Sequence, residues 1–206
     1  MFMGLSQFLR TVRALAGLGQ EFKTMFDVIE RCFAKHGDKK YGEFVTQRQH
    51  ALQCATLASQ EGATSELIAA ALLHDIGHML DESLGQKDPG DDLMHEVTGA
   101  NFLSQWFPKA VTEPVRLHVV AKRFLTGNDP SYYETLSPAS KHSLDLQGGP
   151  MTAEAQRQFL NVPFAREAIQ LRRWDDLAKE EDLELALDLA DFRVLLEGLM
   201  ERSATA

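Results

Sequence analysis

The segment AALLHDIGHML (residues 70–80) places two histidines and an aspartate inside an apolar run. The surrounding alanines, leucines and methionine are residues that a helix buries in a protein core. A buried carboxylate is costly unless it is paired or bound to a metal. His74, Asp75 and His78 therefore indicate chemistry at this position.

Histidines are concentrated in one part of the chain. Five of the seven fall between positions 50 and 118, namely His50, His74, His78, His95 and His118. Any one of them alone is more often an ordinary core or surface histidine. Together they favour a metal site, because neutral imidazole is the commonest metal ligand and helix bundles build metal sites from inward-facing side chains.

The elements that carry these residues are predicted to be helices. Apolar residues recur at steps of three and four in six segments: 21–37, 45–62, 63–80, 95–107, 111–125 and 181–203. Thr64 or Ser65 is the predicted N-cap of the third segment, which we expect to be one continuous helix. No alternating strand pattern is visible, so the sequence predicts an all-α fold with irregular stretches at 85–93 and 127–151, the second of which contains a short helix.

Composition limits the function classes. The chain has 206 residues, 44% of them hydrophobic, and a net charge of −9, which fits one main globular domain. Without a basic stripe, nucleic acids and anionic membranes are poor partners, although a small anion could bind a local cationic pocket. Cys32 and Cys54 form no metal-binding or disulfide pattern. No apolar stretch reaches the ~20 residues of a membrane span and no signal peptide is visible, so we expect a cytoplasmic protein.

The order of the histidines and aspartates resembles the di-metal branch of the HD-domain superfamily. The matching residues are His50, His74, Asp75, His95, His118 and Asp175. The resemblance implies an all-α HD-domain helical bundle in residues 39–206, after an N-terminal helical extension in residues 1–38. It also implies that Asp75 bridges two metals, one held by His50, His74 and Asp175 and the other by His95 and His118.

Four further segments narrow the resemblance. LQCA after His50, HVVAKRFL from His118, LSPASKHSLDLQGGPM at 136–151 and LRRWD at 171–175 closely resemble the small mixed-valence di-iron HD oxygenases of organophosphonate catabolism. Those enzymes use O₂ to cleave the C–P bond of 2-amino-1-hydroxyethylphosphonate, giving glycine and phosphate. The resemblance, over about residues 41–185, implies two iron ions as Fe(II)/Fe(III) and a small phosphonate substrate.

Several polar residues match the substrate-binding positions of that family. Lys122 lies four residues after His118 and Arg172 three before Asp175, so both could reach a phosphonate beside the metals. Ser140 and Ser143 could donate further hydrogen bonds, and His78 would support the site or contact the phosphonate without binding metal. Other interpretations are surface charges for Lys122 and Arg172 and a helix cap for Ser140.

The residues before His50 match the family in part. Glu43 matches the carboxylate that recognises a substrate amine. Lys40 stands at the position of the family's metal-covering tyrosine, and Tyr41 follows one residue later, so a register shift would let Tyr41 take that role.

Two alternatives stay open at this point. A phosphohydrolase with Mn²⁺ or Mg²⁺, acting on a nucleotide or a phosphomonoester, would use the same ligands and the same cations. The second alternative, a catalytically silent metal-binding domain, would be favoured if one of the metal ligands were missing. The phosphohydrolase would be favoured if Asp188 or Asp191, and not Asp175, were the last metal ligand. We expect a monomer or a homodimer.

Overall fold

The computed structural model describes residues 25–40, 44–83, 94–181 and 187–204, without the side chains of 81–83 and 201–204. The all-α prediction is confirmed, because these residues form eleven α-helices and one 3₁₀ helix and contain no strand. The α-helices are α1 (Met25–His36), α2 (Gln47–Gln60), α3 (Ser65–Leu73), α4 (Ile76–Ser83), α5 (His95–Leu103), α6 (Lys109–Asn128), α7 (Pro130–Thr135), α8 (Pro138–Leu146), α9 (Ala153–Phe159), α10 (Ala165–Leu177) and α11 (Arg193–Ala204).

Helix α6 is the central element of the bundle. It packs against α3, α5 and α10, while α2 packs against α3 and α10. Helix α1 joins the same apolar core through Phe26, Ile29 and Phe33, which meet Trp174 of α10 in one buried cluster. Burying each such side chain contributes roughly 1.5–3 kcal/mol to the stability of the folded state. None of the described helices combines the length and the apolar character that crossing a membrane requires.

Local sequence signals set two helix starts. Thr46 caps α2 through a reciprocal pair of hydrogen bonds with Gln49. Thr64 caps α3, as predicted, by accepting a hydrogen bond from the Leu67 amide at 3.3 Å. These caps fix where the two helices that carry His50 and lead to His74 begin.

The expectation of one continuous helix across residues 63–80 is wrong. Helix α3 ends at Leu73 and α4 begins at Ile76, so His74 and Asp75 form a turn between them. The apolar run continues through the turn because both helices are buried, and periodicity alone does not show such a break. At the turn, the His74 ring hydrogen-bonds back to the Ala71 carbonyl at 2.9 Å.

The predicted helix over 181–203 also differs from the structure. A 3₁₀ helix (Leu189–Phe192) precedes α11, and residues 182–186 lie outside the described part. Asp188 and Asp191 form a capping box at the start of the 3₁₀ helix. Their carboxylates are therefore used as caps, away from the histidines of the interior.

Candidate metal centre

Six residues from five parts of the fold converge in the bundle interior. His50 comes from α2, His95 from the first position of α5, His118 from the middle of α6 and Asp175 from the last turns of α10, while His74 and Asp75 occupy the turn before α4. The four histidines and Asp175 are buried, and the Asp75 side chain keeps 17% exposure. The turn between α3 and α4 is what aims His74 and Asp75 into this space.

One half of the cluster contains His50, His74 and Asp175. The His50 Nε2 atom lies 3.1 Å from His74 Nε2 and 3.3 Å from Asp175 Oδ1. Asp175 Oδ2 lies 3.8 Å from His74 Nε2. Donor atoms at these separations could surround a single ion.

The other half contains His95 and His118, and Asp75 faces both halves. His95 Nε2 lies 3.2 Å from His118 Nε2. Asp75 Oδ1 is 3.4 Å from His95 Nε2, and Asp75 Oδ2 is 3.5 Å from His74 Nε2. The two oxygens of one carboxylate thus point to different histidine pairs, so this carboxylate could bridge two metals.

Hydrogen bonds to backbone carbonyls fix the histidine tautomers. Three rings donate from Nδ1, so that Nε2 carries a lone pair towards the interior. The acceptors are Ala178 O for His50 at 2.8 Å, Ala71 O for His74 at 2.9 Å and Val115 O for His118 at 2.7 Å. The Nε2 atoms of these rings and the carboxylate oxygens of Asp75 and Asp175 face one interior space, so the donor set fits a metal.

The pKa directions indicate that the carboxylates of Asp75 and Asp175 are ionised and that the surrounding imidazole rings are neutral or partly charged. Burial acts to raise the pKa of Asp75, but His74, His95 and His78 hold it well below its usual range. Burial and then His95 and His74 lower the pKa of His118 well below its usual value. An imidazole that resists protonation keeps its lone pair for a metal.

Arg172 is buried and is held by two carboxylates. Its Nε donates to Asp176 Oδ2 at 2.9 Å, and its Nη2 donates to Asp176 Oδ1. Its Nη1 lies 2.7 Å from Asp175 Oδ2, while Tyr132 donates to Asp176 Oδ2 at 2.6 Å. Burial would raise the pKa of Asp175, but Arg172 holds it well below its usual range. Arg172 is therefore no surface charge, and it orients one of the predicted ligands.

Lys122 and the serines of α8 lie beside the cluster. The buried Lys122 ammonium donates to Ser143 Oγ at 2.6 Å, and the Ser143 hydroxyl donates to the Ser140 carbonyl at 3.2 Å. The cap of α8 is Ser137, which accepts from the Ser140 amide at 3.1 Å. Ser140 is thus available for another role, and its Oγ accepts from Lys179 at 3.0 Å.

The remaining predicted residues have different outcomes. The His78 ring stacks on His95 with 3.9 Å between ring centroids, at the edge of the cluster. Tyr41 and Glu43 lie outside the described residues, so their predicted roles stay predictions.

Sequence reasoning missed four residues near the cluster. Cys54 could act with His50 and His74 as a third donor. Gln53 hydrogen-bonds both ways to the Glu180 backbone, at 2.7 and 3.0 Å, and so fixes the segment that carries Ala178. Asp176 could have been found from its spacing, four residues after Arg172. Tyr132 and Gln53 carry no such signal, because their partners are distant in sequence.

Comparison with known proteins places this geometry in a family. The HD domain family matches residues 48–180. The chain is 43% identical over 187 residues to a hydroxymethylphosphonate dioxygenase of Gimesia maris, covering 90% of each protein. It is 46% identical to a [1-hydroxy-2-(trimethylamino)ethyl]phosphonate dioxygenase (glycine-betaine-forming) of Leisingera caerulea, covering 82% of this chain and 87% of the relative. An uncharacterised mimivirus protein, L432, is 32% identical over 157 residues, covering 74% of this chain and 72% of that protein.

The chain therefore belongs to the HD-domain family. Within that family it is an O₂-dependent oxygenase, as the sequence predicted. Its interior histidines and aspartates could hold a metal ion.

Proposed function

We propose that the chain is a di-iron oxygenase that cleaves the carbon–phosphorus bond of a small 1-hydroxyphosphonate. The observation that carries this proposal is the pair of histidine clusters that share Asp75, next to buried cationic groups suited to a phosphonate. Both named relatives act on phosphonates, which supports the same substrate class here. The balanced reaction takes the hydroxyphosphonate and O₂ to a carboxylate and phosphate.

The metal ligands of this proposal are the six residues of the sequence prediction. His50, His74 and Asp175 would hold one metal, His95 and His118 the other, and Asp75 would bridge. Histidine and carboxylate ligands with open positions suit iron, and the proposed state is mixed-valence Fe(II)/Fe(III). When bound, the two iron ions would supply the activation of O₂ for removal of hydrogen from the hydroxyl-bearing carbon.

The residues of the chain bind and orient the phosphonate. Lys122 brings a buried ammonium beside α8, and Arg172 lies between Ser140 and the predicted ligand Asp175. Positive charge at this place would stabilise the phosphate dianion as the bond to carbon breaks. Ser143 positions Lys122, because its hydroxyl accepts from the ammonium.

The proposal also concerns which carbon substituent the substrate carries on its hydroxyl-bearing carbon, beside the phosphonate. The substrates named for the two relatives share the 1-hydroxyphosphonate group and differ in this substituent. Because Glu43 matches a carboxylate that recognises a substrate amine, the sequence predicts that this substituent is an aminomethyl group and that the product is glycine. The test therefore uses three substrates: 2-amino-1-hydroxyethylphosphonate, its trimethylated form and hydroxymethylphosphonate.

The experiment compares iron-loaded protein under ¹⁸O₂ and under nitrogen with each substrate. We expect phosphate and an ¹⁸O-labelled carboxylate only under oxygen, with the aminated substrate turned over fastest. An Asp75→Asn variant is the control for contaminating enzymes. Phosphate release under nitrogen with Mn²⁺ from a phosphomonoester, without oxygen uptake, would instead establish the phosphohydrolase.

A further inference from the structure

We infer that Tyr132 is a positioning residue for the phosphonate site, acting on Arg172 through the carboxylate of Asp176. This inference rests on the proposed function in taking Arg172 as a binding residue for the phosphonate and for the phosphate it becomes. Tyr132 lies on α7 and Asp176 on α10, 44 residues apart in the sequence.

The contacts of Arg172 show which of its nitrogens can meet a phosphonate. A guanidinium has five N–H groups in a fixed fork. Nε and Nη2 donate to Asp176, and Nη2 also donates to Ser140 Oγ at 3.3 Å. Nη1 lies 2.7 Å from Oδ2 of Asp175, a predicted metal ligand. Nη1 has two hydrogens and this oxygen can take one, so the same nitrogen can also donate to a phosphonate oxygen beside the metals.

Asp176 sets the orientation of the guanidinium. Its Oδ2 accepts from Nε of Arg172 at 2.9 Å, and its Oδ1 accepts from Nη2. Two parallel hydrogen bonds between a carboxylate and a guanidinium define the geometry better than a single one does. With Asp176 on this side, Nη1 is directed towards Asp175. The direction of Nη1 therefore depends on where the Asp176 carboxylate is held.

Tyr132 holds the Asp176 carboxylate from a different helix. Its hydroxyl donates to Asp176 Oδ2 at 2.6 Å. The Asp176 side chain is only 7% exposed, so little water can replace this hydrogen bond. Burial and then the charge of Asp176 raise the pKa of Tyr132, so its hydroxyl remains a donor. Without this hydrogen bond, the pair of Asp176 and Arg172 would lose its tie to α7 and could shift together.

Tyr132 is itself fixed by packing and by the start of α7. Its ring packs against a second apolar cluster, which contains Phe124 and Phe159. Asp129 caps the helix, since its carboxylate accepts from the Ser131 amide at 2.9 Å and its carbonyl from the Tyr132 amide at 3.0 Å. The hydroxyl is therefore presented to Asp176 from an anchored position.

Tyr132→Phe separates position from charge, because it removes one neutral hydroxyl and leaves the charges of Arg172 and Asp176 in place. Asp176→Glu also keeps the charge but displaces the carboxylate by one methylene, so it tests the same geometry. Tyr133→Phe is the matched control. It removes the hydroxyl of the next residue on α7 and keeps the ring, whose centroid lies 5.0 Å from Lys141 Nζ.

The experiment measures anion affinity and turnover separately. Inorganic phosphate and methylphosphonate, which has no hydroxyl to oxidise, are titrated by calorimetry into metal-loaded protein under nitrogen. The values of kcat and KM for 2-amino-1-hydroxyethylphosphonate are measured under O₂, and metal content and Tm are recorded for each variant. Tyr132→Phe is also made in the Arg172→Ala background, which completes a double-mutant cycle.

We expect Tyr132→Phe and Asp176→Glu to bind phosphate roughly five- to tenfold more weakly and to raise KM at full metal content, since a hydrogen bond to a charged group is lost or displaced. In the Arg172→Ala background, Tyr132→Phe should change phosphate affinity by less than about twofold, because the residue through which it acts is absent. Tyr133→Phe should behave as the native chain.

A merely structural Tyr132 would give a different pattern. Tm would fall in Tyr132→Phe while the phosphate affinity and KM of the folded protein kept their native values, and this would overturn the inference. An equal loss of affinity with and without Arg172 would also overturn it. If Tyr132→Phe fails to fold, unchanged phosphate affinity in Asp176→Glu would have the same consequence.

The design separates this inference from the proposed function. Anion binding under nitrogen involves no oxidation, so weaker binding in Tyr132→Phe that depends on Arg172 supports the inference even if no substrate is cleaved. Normal O₂-dependent turnover with native phosphate affinity in Tyr132→Phe would reject the role of Tyr132 and leave the proposed function standing.

Discussion

The Asp75 carboxylate is the smallest unit on which the proposed site depends. Its two oxygens face different histidine pairs, at 3.4 Å from His95 Nε2 and 3.5 Å from His74 Nε2. In Asp75→Asn, one oxygen becomes an amide NH₂ that cannot bind a metal, so we expect metal content to fall and O₂-dependent turnover to drop at least ~100-fold. Elemental analysis and oxygen uptake measure this, with the exposed Asp145→Asn as control. Full metal content in Asp75→Asn would contradict the bridging role.

Arg172 connects the predicted ligands to the anion site, so its removal should affect both. We expect Arg172→Ala to lower kcat/KM at least ~10-fold and raise KM, because a charge-assisted hydrogen bond is worth roughly 1.5–3 kcal/mol. Metal content should also fall, since Asp175 loses the partner at 2.7 Å. Arg173→Ala, the exposed neighbour on α10, is the matched control. Equal kcat/KM in Arg172→Ala and the native chain would remove Arg172 from the site.

Residue types and spacing predicted which side chains lie close together. The role of each side chain follows from its hydrogen bonds in the structure. The six residues of the sequence prediction lie together in the interior. The helices that carry His50, His95 and His118 were recognisable from periodicity, whereas α10, which carries Asp175, and the turn at His74–Asp75 were not. The pairing of Arg172 with Asp176 was missed, since the same charge could equally have faced a ligand. The contact between Lys179 and Ser140 joins segments 39 residues apart, and no local pattern reports it.

At the scale of elements, the close approach of α4 and α5 places Asp75 against His95. Gly77 permits this approach, because a Cβ there would lie 1.9 Å from the His95 carbonyl oxygen. We expect Gly77→Ala to push the helices apart, destabilise the fold by roughly 1–3 kcal/mol and weaken metal binding. Gly198→Ala in α11 meets nothing within 4 Å and should be neutral or stabilising by up to about 1 kcal/mol. Chemical denaturation and metal analysis compare the two variants, and equal stabilities would contradict the packing argument.

The helices that carry the histidines were predictable, whereas α9, α10, the presence of two helices within residues 127–151 and the break between α3 and α4 were not. Thr64 and the three- and four-residue apolar steps gave α3 its start and its buried face. The turn at His74–Asp75 was missed, because apolar residues continue on both sides of it. Gly77, two residues after Asp75, lies close against the His95 backbone, and this neighbour is distant in sequence.

At the scale of the whole molecule, α1 shares the core of the other helices. Phe26, Ile29 and Phe33 are at most 1% exposed and belong to the cluster that contains Trp174. The boundary between residues 38 and 39, the oligomeric state and the cytoplasmic location stay predictions. The apolar core and the polar cluster lie against each other, since α2 and α10 contribute to both.

Metal binding should therefore stabilise the entire fold. The Nε2 atoms of His50 and His74 lie 3.1 Å apart beside the carboxylates of Asp75 and Asp175, so a bound metal would contact side chains from several elements at once. A metal that binds only the folded state raises the free energy of unfolding by about 2.7 kcal/mol when its free concentration is about 100 times Kd. For a chain of this size that corresponds to a rise in Tm of roughly 5–10 °C. Calorimetry of chelator-treated and reloaded protein measures the shift, which should nearly vanish in Asp75→Asn. Coincident transitions with and without metal would mean that the cluster does not hold an ion tightly, and the proposed metal centre would have to be abandoned.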